Sequence, residues 1–164
     1  MQAGRGRSDG IVGVKSMMNN DNSITVETKL FGYIAENAQS SRFSAMTNKL
    51  FKENSINAMV IPMNIRPDDV AFTISQMRCS KLSGAVIATE YQEEAFSLLD
   101  RSAKNVSENG YCDFIRIDNG MLNGELIMPD ALARYADRDD FEGDIALNAL
   151  SHYFYDLITE EKQG

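Results

Sequence analysis

At 164 residues, 43% hydrophobic and 24% charged, the sequence can bury a sizeable core and sits in the normal range for one globular domain. A formal charge of -8 with no Lys/Arg stripe excludes the counterion-release binding that nucleic acid demands and disfavours anionic membrane surfaces. No apolar run approaches the roughly 18–20 residues of a membrane span. Cys79 and Cys112 have no paired spacing and no secretory signal ahead of them, so the expected setting is the cytoplasm.

Residues 1–23 are rich in Gly, Asn, Ser and Asp without a sustained period and read as a flexible arm. Residues 24–34, ITVETKLFGYI, read as a strand. Residues 41–55 follow as a helix with Phe43, Met46, Leu50 and Phe51 at helical spacing. INAMVIPM, 56–63, is a second strand. Pro67 then stands at a good first helical position, and 68–80 put Val70, Ile74 and Met77 on one helical face.

GAVIAT, 84–89, is a third strand, wholly apolar as suits the middle of a sheet covered on both sides, and 92–108 read as a third helix. Residues 111–117 and 121–127 flank Asn119-Gly120, the strongest local hairpin signal, which adds an antiparallel pair. From Pro129 to Asp140 the chain is expected to be partly helical. Residues 144–161 carry the broad apolar stripe Ile145, Leu147, Leu150, Phe154, Leu157 and Ile158 of a packed helix. The prediction is an α/β fold: three layers, with a mixed, mainly parallel sheet of about six strands between helices. Residues 24–164 are expected to form a single domain.

Spacing alone yields no site. His152, the one histidine, has no Cys or His partner at metal-ligand spacing, so no metal is expected. Glu93 and Glu94 suit a helix start, where the dipole favours acids. The acids from Asp137 to Asp140 suit an exposed turn, and the glycines of the first ten residues, Gly4, Gly6 and Gly10, do not stand between a strand and a helix as a nucleotide loop requires. What remains is the carboxyl end of the strand at Gly84, the place where open α/β sheets hold their ligands.

From Gly84 to Pro129 the chain resembles the amino-terminal, substrate-binding domain of shikimate dehydrogenase. That family runs G-x-N-V-T-x-P-x-K, a helix with an Asp, G-A-V-N-T, a hairpin, and G-x-N-T-D. Here the pattern reads Gly84-Ala85-Val86-Ile87-Ala88-Thr89-Glu90-Tyr91-Gln92, then Asp100, then Gly110-Tyr111-Cys112-Asp113-Phe114, then Gly124-Glu125-Leu126-Ile127-Met128. Upstream, Asn48 and Phe51 are similar to the family's H-N-x-x-F helix, and Ser41 fits the first serine of its H-S-x-S-P loop while Phe43 replaces the second. The resemblance spans Leu30 to Pro129, about a hundred residues, the size of a small domain.

The resemblance implies a substrate cleft stripped of its chemistry. The family's lysine and aspartate, which act on the substrate hydroxyl that loses its hydride, fall on Gln92 and Met128, neither of which serves as a general base near neutral pH. Its substrate-binding Asn and Thr fall on Val86 and Ala88, and a second Asn on Leu126. The family's nicotinamide-binding domain finds no room after Pro129, so no cofactor is expected. The final helix is similar to the one that returns to brace the family's first domain.

The expected function is therefore a small-molecule-binding pseudoenzyme, sensor or partner subunit. The ligand-binding candidates are Ser41, Arg42, Asn48, Val86, Ala88, Gln92 and Met128, and the expected ligand is a cyclic or aromatic carboxylate. Arg116 in the hairpin is a further group able to hold an acid. Two alternatives stand beside this reading. One is a cofactor-free lyase, dehydratase, cyclase or isomerase in which Glu90 or Tyr91 moves a proton. The other is an interaction module or homodimer whose cleft is filled by Phe43, Leu126 and Met128.

Overall fold

The computed structural model describes residues 27–141 and 143–163; the expected arm at 1–23 and the start of the first expected strand lie outside them. Strand β1 (Lys29–Ala35) leads through a loop into α1 (Phe43–Glu53), then β2 (Ala58–Asn64), α2 (Val70–Gln76) and β3 (Leu82–Ile87). Next come α3 (Gln92–Phe96), β4 (Arg101–Ser102) and α4 (Lys104–Asn109). The hairpin β5 (Phe114–Asp118) and β6 (Met121–Glu125) follows, then α5 (Met128–Tyr135) and α6 (Ile145–Gln163).

The six strands form one sheet in the order β2-β1-β3-β5-β6-β4. β1 is parallel to both β2 and β3, as the strand–helix alternation requires, and β5 is antiparallel to β3 and β6. Asn119 and Gly120, both at positive φ, close the hairpin as a two-residue turn whose twist matches the strands.

Alternating side chains sort the core to the two faces of the sheet. Ile34, Ala85, Ile87 and Ile115 meet Val70, Ile74 and Met77 of the α2 region on one face. Phe31, Val86 and Phe114 meet Phe43 and Phe51 of α1 and Leu150, Phe154 and Ile158 of α6 on the other. The expected three-layer α/β architecture is present.

One expected element is divided. The helix read over 92–108 is instead α3, the short strand β4 and α4. Asp100 is the reason: its carboxylate accepts the Leu122 N–H at 2.8 Å and pairs with Arg78 at 3.0 Å, which draws the chain onto the edge of β6, parallel to it. These partners are distant in sequence, so helical periodicity could not register them. Those bonds also hold the Asp100 carboxyl below the usual carboxylate range, the Leu122 amide first and Arg78 next.

Gly84 is required by close packing between β3 and β5. A Cβ there would lie 2.4 Å from the Ile115 carbonyl oxygen, and a backbone atom cannot swing aside as a flexible side chain can. Gly84→Ala is expected to lower stability by about 1–3 kcal/mol through overpacking, read from the urea midpoint. An unchanged midpoint would mean that the β3–β5 pairing yields freely.

Candidate functional site

The carboxyl ends of β1 and β3, the turn from β6 into α5, and the start of α6 surround an open cleft of about 570 Å³. Val86 and Ala88 form its floor, Leu126, Met128 and Pro129 one wall, and Leu147 and Leu150 of α6 the other. The cleft is apolar over most of this surface. Its polar groups are Tyr33, Thr89, Gln92, Tyr111, Asp113 and Asp144. A second, more polar hollow adjoins it, sharing Tyr33 and Ala88 and lined also by Glu36, Asn37, Ser41 and Glu90.

Gln92 is held at the cleft by its own backbone surroundings. Its side-chain amide donates to the Ile87 carbonyl at 2.9 Å, and its backbone carbonyl accepts the Cys112 N–H at 3.3 Å. Asp113 is the most constrained polar residue there, only 4% exposed. One carboxylate oxygen accepts the Ile127 N–H at 2.7 Å and the other the Met128 N–H at 2.9 Å, so it fastens the first turn of α5 to the end of the sheet. Burial pushes its carboxyl above the ordinary value, against the lowering effect of those two amides. The neighbouring Cys112 thiol is pushed up to about 12, chiefly by burial and secondarily by Asp113, which rules it out as a nucleophile near neutral pH.

The expected site residues separate into three groups. Val86, Ala88, Gln92 and Met128 meet in the cleft. Ser41 and Glu90 line the adjoining hollow, where the Glu90 carboxylate accepts the Glu36 N–H at 2.9 Å and Ser41 Oγ accepts the Phe43 N–H at 3.2 Å.

Arg42, Asn48 and Tyr91 lie elsewhere. Arg42 borders a different hollow beside Lys49 and His152. The Asn48 side chain donates to the Val60 carbonyl at 2.9 Å and accepts the Val60 N–H at 2.7 Å, which covers part of the exposed edge of β2. Tyr91 belongs to the core: its hydroxyl donates to the Ile65 carbonyl at 2.5 Å, and its pKa is raised first by burial and then by Glu36. A single 3-10 turn over Thr89–Tyr91 carries it past the strand end and under the sheet. Arg116 pairs with Glu125 at 2.7 Å across the hairpin and does not line the cleft.

The sequence reading missed Asp113, Tyr111 and the α6 wall. For Asp113 a signal existed, because it occupies the asparagine place of G-A-V-N-T. For Asp144, Leu147 and Leu150 there was none, since only the fold brings α6 across the strand ends.

The family model for the shikimate dehydrogenase substrate binding domain matches residues 33–115, half of the chain. The chain belongs to that family. The shikimate dehydrogenase (NADP(+)) of Aquifex aeolicus is 24% identical over 101 residues, 62% of this chain and 38% of that protein. The shikimate dehydrogenase (NADP(+)) of Halothermothrix orenii is 30% identical over 104 residues, 63% of this chain and 35% of that protein. The chain thus spans a little over a third of the length of such relatives.

Solved structures agree on the fold. Shikimate dehydrogenase from Aquifex aeolicus superposes with a TM-score of 0.63 at 21% identity, covering 69% of this chain and 42% of that one. The 5-ketofructose reductase of a Gluconobacter strain gives 0.61 at 15% identity, covering 65% and 38%. The matched segment contains Val86, Ala88, Gln92 and Asp113, and it supplies half of the residues that line the cleft of this shikimate dehydrogenase-like domain. Among the described residues no helix is long and apolar enough to cross a membrane.

Proposed function

We propose that residues 24–164 act as one substrate-binding domain that holds a small ring-shaped organic ligand in this cleft and performs no hydride chemistry there. The observation that supports it most strongly is the meeting of Gln92 and Met128 in one cleft together with Val86 and Ala88. These are the places where the family pattern puts its lysine, its aspartate and two polar substrate contacts. A thioether exchanges no protons, and a carboxamide does so only far from neutral pH. The same exchange makes the floor suited to an apolar ring. A polyol laid on it would leave hydroxyls unpaired, at about 1–3 kcal/mol each.

A dinucleotide does not fit the strand–helix turns of this chain. Glu36–Arg42, Ile65–Pro67 and Ala88–Tyr91 contain no glycine, so none offers the close backbone approach that a pyrophosphate needs. The proton-moving alternative is not favoured, because Tyr91 is in the core with its hydroxyl on the Ile65 carbonyl and Glu90 lines the adjoining hollow rather than the cleft. The filled-cleft alternative is at odds with about 570 Å³ of open space beside Leu126 and Met128.

Thermal-shift screening of small cyclic compounds tests the proposal, since a ligand that prefers the folded state raises the melting point. Ala88, half-buried and shared by both hollows, is the place to block. Ring ligands are expected to raise the melting point of the wild-type chain and to leave that of Ala88→Trp unmoved. Equal shifts in the two proteins would place binding outside the cleft and defeat the proposal.

A further inference from the structure

The charges around the cleft are all of one sign. Asp113 and Asp144 line it, Glu36 and Glu90 line the hollow that opens from it, and among the described residues no Lys, Arg or His lines either. Gln92 stands where the family pattern puts a lysine, so the one cation that would offset these acids is replaced by a neutral amide. Arg116 is turned to Glu125, and Arg42 borders another hollow.

A carboxylate entering this space would approach four acids without a counter-charge, in a chain already at -8. Low-dielectric walls strengthen that repulsion relative to water. A cation would meet the opposite situation. Asp113 has one oxygen on each of two amides, and a carboxylate oxygen can accept a further hydrogen bond. The hydroxyls of Tyr33 and Tyr111 line the same cleft and have no partner among the described residues, leaving them free to accept from an ammonium group.

We propose that the cleft selects a ring bearing an ammonium group and rejects the corresponding carboxylate, so that its ligand class is a cyclic or aromatic amine. This rests on the reading of the cleft as a small-molecule site and replaces the acid expected from the family resemblance. The apolar floor of Val86 and Ala88 would take the ring beside Leu126, with the ammonium turned toward Asp113 and Asp144.

Calorimetric titration of the full chain with benzylammonium, benzyl alcohol and benzoate tests the inference, because the three probes share a ring and differ in charge. Benzylammonium is expected to bind tightest and benzoate weakest, with a separation of at least about tenfold. Asp144→Asn, an exposed change whose amide oxygen can still accept the Leu147 N–H, should narrow that separation, with its urea midpoint reporting that the variant is folded. Benzoate binding as tightly as benzylammonium, with both lost in Ala88→Trp, would overturn the amine preference and leave the small-molecule reading standing. Failure of all three probes to bind at millimolar concentration would overturn both.

Discussion

Phe154→Ala is expected to remove about 3–5 kcal/mol of unfolding free energy, the usual cost of emptying a fully packed aromatic position. Phe154 is completely buried on α6, and its ring stands 5.1 Å from Phe31, 5.5 Å from Phe114, 5.8 Å from Phe43 and 6.5 Å from Phe51. Two of those rings come from the sheet and two from α1, so one side chain ties α6 to β1, β5 and α1. A domain of ordinary stability has only about 5–15 kcal/mol in total, and the variant should therefore unfold at much lower urea.

The loss reaches the cleft as well. Leu147 and Leu150, which form one wall, are carried by the same helix, so ligand binding should weaken together with stability. A loss below about 0.5 kcal/mol, the range of ordinary surface changes, would show that α6 is not the brace of this fold.

Asp113→Ala is expected to destabilise by about 2–4 kcal/mol, because it strands the Ile127 and Met128 amides, each worth about 1–3 kcal/mol when buried without an acceptor. The effect has a definite sign with pH. The folded-state pKa of Asp113 lies above its ordinary value of 3.8, so its carboxyl favours folding most when protonated. That contribution is complete below about pH 3.9, the unfolded value, and is lost as pH rises through the higher folded value. Asp113→Asn cannot titrate and lacks this loss. The stability of the wild type relative to Asp113→Asn should therefore fall from acid toward neutral pH, as measured by urea denaturation at a series of pH values. A wild-type advantage that grows with pH would mean that the two amides outweigh the burial of the charge.

The layers of the fold were legible because local signals agreed with tertiary demands. The apolar run at Gly84 could only be an inner strand, and Asn119-Gly120 could only be a tight turn. The break at Asp100 was illegible because its cause, the Leu122 amide and Arg78, is far away in sequence. In the site, motif register placed Val86, Ala88, Gln92 and Met128 together. It failed for Tyr91, where one short turn decides between cleft and core, and for Asn48, whose amide serves the edge of β2. The α6 wall depends on long-range packing alone.

A crystal soaked with benzyl alcohol tests the central claim most directly, because an uncharged ring reports on the cleft independently of the charge preference. Difference density for one ring is expected above Val86 and Ala88, between Leu126 and Leu150. Density confined to other surfaces, with that space closed by Met128 or Leu147, would contradict it.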